Sequence, residues 1–128
     1  MVNRLETLES LFKALADPTR LRIISLLMEG EVCVCHIHES LQIPQPKTSR
    51  HLAYLKRAAL VTDRKNGQWV YYRLREPADE LVRTLMSAVT HCLTHVSTIE
   101  LDQRRVSRAT GRATRRLRGR PSLTCCQP

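Results

Sequence analysis

Residues 31–74 read EVCVCHIHESLQIPQPKTSRHLAYLKRAALVTDRKNGQWVYYRL, and the fold is decided there. The last part holds two β-rich runs, Val61 to Arg64 and Gln68 to Leu74, joined by Asn66-Gly67. That dipeptide tolerates positive φ and suits a tight hairpin turn. A single hairpin is not stable alone in water, so it must pack on helices. Just upstream, Pro46 opens a helix to about Ala59 whose Leu52 and Leu55 face a core. Its first turn and the residue before it carry Gln45, Lys47, Thr48, Ser49, Arg50 and His51. Pro44 and Pro46 separate that helix from a short helical segment, about Cys33 to Leu41.

Toward the N-terminus, Leu5, Leu8, Leu11, Phe12 and Leu15 recur at helical steps, which predicts an amphipathic helix to about Ala16. Asp17 followed by Pro18 is a helix-start signature, and Leu21, Ile23, Ile24, Leu26 and Leu27 carry a second helix to a C-cap at Gly30. Beyond the hairpin, Pro77 opens a long helix in which Leu81, Leu85, Ala88, Val89, Cys92, Val96 and Ile99 keep the period to about Glu100. The order is four helices, a hairpin and a last helix, with two helices joined by a short turn directly before the hairpin. This is the pattern of a mainly α (α+β) winged helix-turn-helix with a two-stranded β-hairpin wing. In it the fourth helix enters a DNA major groove, and two such helices about one helical turn apart require a dimer.

Charge divides the chain of 128 residues, whose formal net charge is +9. Residues 1–102 hold 13 basic and all 12 acidic residues, while 103–128 hold eight arginines and no acid. The first segment reads as the DNA-binding and sensor domain. The second, with only Val106, Ala109, Ala113 and Leu117 as apolar content before Pro121, reads as a disordered basic tail that either solubilises the chain or grips phosphates non-specifically. No apolar run exceeds four residues and the N-terminus lacks the apolar core of a signal peptide, so no membrane partner is expected. A soluble cytoplasmic protein is the expectation. Five cysteines in a reducing compartment read as metal ligands, reactive thiols or buried apolar residues rather than disulfides.

Three strings, LADPTRLRIISLL, EVCVCHI and PQPKTSRHLAYLKRAALVTDRKNGQWVYYRL, resemble the ArsR/SmtB family of metalloid- and metal-responsive repressors over roughly residues 5–100. The likeness is greatest to its arsenical-resistance branch, where Cys-Val-Cys opens the third core helix. The resemblance implies a homodimer held by the first and last helices. It also implies a palindromic double-stranded operator and release by a trivalent metalloid, arsenite or antimonite. Around the fourth helix, Gln45, Lys47, Thr48, Ser49, Arg50 and His51 offer donors and acceptors to phosphates and base edges. In the wing, Arg64, Lys65 and Gln68 flank the turn and would position the protein on the DNA backbone.

The effector site centres on Cys33 and Cys35. A helix turns about 100° per residue, so positions i and i+2 of a regular helix face nearly opposite ways. Either Cys33 precedes the helix or binding unwinds its first turn. Both routes link ligand binding to the segment before the recognition helix. Arsenical repressors carry a third cysteine three positions after the second, where this chain has His38. Candidates for a third ligand are His38, Cys92, Cys125, Cys126 or a small external thiol. Zinc, cadmium or lead bound with His36 or His38 is the alternative effector reading. His91 and His95, spaced to bind metal, read as surface residues, since the family's Asp-x-His is absent where Asp79 precedes Leu81 by two.

Catalysis is not expected. His91-Cys92 would need an arginine at position 98 to form a phosphatase loop, and Thr98 stands there. No nucleophile and base occur in a credible context. A constitutive architectural DNA binder, in which the arginine tail supplies the affinity and the cysteines do nothing, is the remaining alternative.

Overall fold

Two caps set the first corner of the molecule. In this computed structural model, which describes residues 3–111, Asn3 opens α1 (Arg4–Leu15) by accepting from the Leu5 N–H at 3.0 Å. Asp17 opens α2 (Pro18–Leu26) by accepting from the Arg20 N–H at 3.0 Å, with Pro18 pre-set for the first helical position. The second helix stops four residues short of Gly30; Leu27 caps it and a turn carries the chain to Gly30 at φ 134°. Next come β1 (Val32–Cys33), α3 (Val34–Leu41) and α4 (Gln45–Arg57). The α3–α4 turn is made possible by Gln42 in the left-handed region, at φ 58°.

The wing is β2 (Val61–Asn66) and β3 (Trp69–Leu74), antiparallel, with Asn66 paired to Trp69. The two-residue loop is therefore Gly67-Gln68, one residue later than the expected Asn66-Gly67, and Gly67 takes the positive φ of 61°. The sheet also departs from the expected two strands. Val32 pairs with Tyr72 and Cys33 with Tyr71, so β1 adds a third strand in the order β1-β3-β2. Two residues are too few to show alternation, which is why that strand is silent in the sequence.

The expected long last helix is two: α5 (Glu80–Leu93), capped by Asp79, and α6 (Ser97–Thr110). The break falls at residues 94–96, where Thr94 and Val96 are weak helix formers and the Thr94 hydroxyl donates to the His91 carbonyl at 2.6 Å. The second helix turns back over α2 and α3, which moves the end of the ordered domain from 102 to at least Thr110. Its order does not come from apolar content alone. Ile99 and Val106 are buried, and Asp102, with no exposed surface, meets Arg22 of α2 through Nε at 2.7 Å and a second guanidinium nitrogen at 2.9 Å. The same guanidinium donates to the Leu41 carbonyl at the end of α3, 3.1 Å away.

The core lies between these layers, with Leu11, Ala14, Ile23, Ile24, Leu27, Ile37, Leu41, Leu52 and Leu55 all essentially inaccessible. On α1, Leu5 and Phe12 stay 71% and 56% exposed within one protomer, so that helix keeps an apolar outer face. No helix among the described residues is long and apolar enough to cross a membrane.

Candidate functional site

The thiols sit where strand passes into helix. Cys33 is the N-cap of α3 with extended φ −67° and ψ 142°, anchored by its pairing with Tyr71, and Val34 is the first helical residue. The helical turn at Val34 holds the flanking Cα atoms about 5.4 Å apart, while the extended backbone at Cys33 takes its side chain off the helical course. Of the two routes open in the sequence, Cys33 preceding the helix is the one observed. The sulfurs stand 3.0 Å apart, and both side chains are buried, Cys33 at 1% and Cys35 at 8% exposure.

The third-ligand candidates are not gathered around them. Among the described residues, no three His, Cys, Asp or Glu side chains come together as a cage for a metal ion, His38 included. Cys92 is exposed on α5 within one protomer, and it does not join Cys33 and Cys35 there. His91 and His95, on the last turn of α5 and just beyond it, stack edge to face with centroids 5.1 Å apart. Cys125 and Cys126 lie outside the described residues.

A second cluster lies at the start of α4. Gln45, Lys47 and Arg50 are exposed and Ser49 is half-buried. Thr48 is a correction: it has no exposed surface, and its hydroxyl donates to the Pro44 carbonyl at 3.2 Å, so it holds the helix start rather than facing outward. His51 is also mostly enclosed. Its Nδ1 lies 3.4 Å from an Arg20 guanidinium nitrogen and 3.9 Å from Asp17. Arginine can only donate, so Nδ1 accepts and the imidazole is neutral in this arrangement. Burial lowers the His51 pKa, helped by the nearby Arg20, Lys47 and Arg50 charges and opposed by Asp17.

Arg20 does more than face His51. It donates to the Ala14 and Lys13 carbonyls at the end of α1, at 2.7 and 3.0 Å, and stacks on the Tyr54 ring at 4.1 Å. Arg57 lies over the same ring at 5.6 Å. Together with Lys47, Arg50 and His51 these side chains line an open groove of about 990 Å³ along α4. Arg20, Tyr54 and Arg57 were not among the sequence candidates, although Lys47, Arg50, Tyr54 and Arg57 recur at steps of three and four and so share one helix face. In the wing, Lys65 and Gln68 are exposed near the tip, whereas Arg64 is tied to Glu31 by a two-nitrogen pairing at 2.6–2.9 Å and stacks on Tyr71 at 4.5 Å.

Residues 17–63 match the profile of the bacterial regulatory protein, arsR family. The arsenical resistance operon repressor of Bacillus subtilis is 42% identical over 86 residues, which span 66% of this chain and 79% of that protein. The chain belongs to the ArsR family. The arsenic resistance transcriptional regulator ArsR1 of Pseudomonas putida is 48% identical over 79 residues, 61% of this chain and 62% of that regulator, so the match spans less than two thirds of its length. Among solved structures, the homodimeric winged helix-turn-helix DNA-binding domain Mb0332 of Mycobacterium bovis superposes with a TM-score of 0.59 at 33% identity, covering 70% of this chain and 81% of that one. The ArsR-family fold thus places α3 and α4 as the helix-turn-helix and β2–β3 as the wing, and ArsR-family proteins are regulators rather than enzymes.

Proposed function

We propose that this ArsR-family chain is an arsenic(III)- and antimony(III)-responsive transcriptional repressor that binds a palindromic operator as a homodimer and leaves it when the metalloid bonds to Cys33 and Cys35. The observation that carries the reading is the buried pair of sulfurs 3.0 Å apart at the β1–α3 junction. Thiolates are soft donors and suit a thiophilic ion. With no third His, Cys, Asp or Glu gathered beside them among the described residues, the pair favours a metalloid, with an external thiol or a tail cysteine completing the site, over zinc, cadmium or lead.

DNA binding is supported by the basic groove of α4. Gln45, Lys47 and Arg50 are exposed and Ser49 half-exposed to reach base edges and phosphates, His51 and Arg20 line the same groove in contact with each other, and Lys65 and Gln68 extend the contact through the wing. Arg64 acts midway along the wing, where Glu31 and Tyr71 hold it. The apolar outer face of α1, with Leu5 and Phe12, is where the dimer forms together with α5.

The same junction supports a route for release. Cys33 belongs at once to the sheet and to the cap of α3, and α3 leads through Gln42 directly into α4. A metalloid that draws Cys33 and Cys35 into its own bond geometry moves this joint and with it the recognition helix. Taking the dimer from 99% operator-competent to 1% needs roughly 5.5 kcal/mol of differential binding. A gel shift on the DNA upstream of the chain's own gene, titrated with arsenite, antimonite, cadmium and zinc, tests the proposal. Release by arsenite and antimonite at the lowest concentrations is expected. Release by zinc or cadmium alone would transfer the assignment to a divalent sensor, and no release by any ion would favour a constitutive binder.

A further inference from the structure

The geometry of the two thiols points to a second chemistry: we propose that Cys33 and Cys35 form a reversible intramolecular disulfide, making the β1–α3 junction a site of oxidation by hydroperoxides. It uses the same side chains as the metalloid reading, but it rests on their placement alone and needs neither metalloid nor DNA.

Three observations carry it. The helical conformation of Val34 keeps the Cys33 and Cys35 Cα atoms about 5.4 Å apart, inside the range of about 4.4–6.8 Å that disulfides span. The sulfurs already lie 3.0 Å apart, so closing a bond of about 2.05 Å needs a movement of only about 1 Å. The backbone is also fixed on both sides of the pair, at Cys33 by strand pairing with Tyr71 and at Cys35 by the first turn of α3. A pair fixed in this way reacts within the molecule at a far higher effective concentration than any free thiol supplies.

The reaction balances with a hydroperoxide as the oxidant. Cys35, the more accessible of the two, attacks the outer peroxide oxygen. The O–O bond breaks, a hydroxide or alkoxide leaves and takes up the thiol proton, and Cys35 becomes a sulfenic acid. The Cys33 sulfur then attacks the Cys35 sulfur; the S–O bond breaks, and its hydroxyl leaves as water with the Cys33 proton. Both sulfurs are oxidised by one electron each, and the two peroxide oxygens are reduced. A dithiol reverses the step by exchange. If the metalloid reading also holds, the oxidised pair has no free thiolate left for a metalloid.

Peptide mapping of the full-length protein after stoichiometric hydrogen peroxide tests this directly. The tryptic segment 23–47 contains Cys33 and Cys35 and no other cysteine. It is expected to lose two hydrogens, to resist alkylation, and to recover both properties with dithiothreitol. In Cys33→Ser the reaction stops at the Cys35 sulfenic acid, which dimedone traps at least tenfold more than in the unsubstituted protein. The inference is overturned if both cysteines stay open to alkylation while Cys125 and Cys126 are oxidised. It is equally overturned if they appear only in bonds between chains, or if dimedone labels the unsubstituted protein as strongly as Cys33→Ser.

Discussion

Replacing Asp102 by Ala removes one half of the contact that fastens α6 to the rest of the domain. The carboxylate is 1% exposed and takes two hydrogen bonds from Arg22, at 2.7 and 2.9 Å, while Arg22 keeps 24% of its side chain in water. Removing one partner of a fully buried pair costs about 3–5 kcal/mol, because the other charge is left stranded. Arg22 retains some solvent and its bond to the Leu41 carbonyl, so Asp102→Ala is expected to cost about 2–4 kcal/mol. At about 4 °C per kcal/mol for a domain of this size, the melting temperature falls by roughly 8–16 °C. Thermal melts followed by far-UV circular dichroism on Arg22→Ala, Asp102→Ala and the double variant measure the coupling, expected at about 1.5 kcal/mol or more. Replacing both by apolar residues, Arg22→Met with Asp102→Leu, is expected to cost far less. A loss below about 1 kcal/mol in Asp102→Ala, or strictly additive single effects, would refute the role given to the pair.

Truncation separates helix from tail. Ending the chain at Gly111 is expected to leave the melting temperature unchanged and, if the five arginines beyond it touch phosphates, to flatten the salt dependence of DNA affinity by up to about 4.5 in slope per protomer; ending it at Asp102 removes Val106 and is expected to destabilise the fold measurably. His51 gives a pH signature. Its folded pKa lies below the 6.5 of a free imidazole, so in the window between the two values the unfolded chain takes up a proton that the folded chain refuses. Stability is therefore full above about pH 6.5 and declines as the pH falls through that window; urea midpoints against pH are expected to slope less in His51→Gln. On α4, Arg50→Ala is expected to weaken specific operator binding by about 1–3 kcal/mol in fluorescence anisotropy, while Thr48→Val changes stability by about 1 kcal/mol and leaves operator affinity within twofold.

The helix-turn-helix and wing were legible because their signals are local. Asp17-Pro18 is a cap, Gly67 carries the hairpin turn, and Leu52 and Leu55 mark the buried side of α4 within one period. What was hidden depends on partners distant in the chain. The strand at Val32–Cys33 exists only because β3 lies beside it, forty residues later in sequence. The second half of α6, from residue 103, reads as tail because part of what holds it is a buried carboxylate and an arginine eighty residues away, which no hydropathy period records. The same limit applied within the site. A threonine among six polar residues looks like a contact, and only the packing of α4 on the core reveals that Thr48 faces inward. At the thiols, spacing set only a condition, that one ion cannot be held by both cysteines of a regular helix, and the extended backbone at Cys33 shows that the helix starts after it.

The most direct test follows operator-bound dimer by fluorescence anisotropy while arsenite is added, comparing the unsubstituted chain with Cys33→Ser and Cys35→Ser. All three are expected to bind the operator with the same affinity, and only the unsubstituted chain is expected to be released. Release of either variant at the same arsenite concentration would contradict the assignment of Cys33 and Cys35 as the effector site.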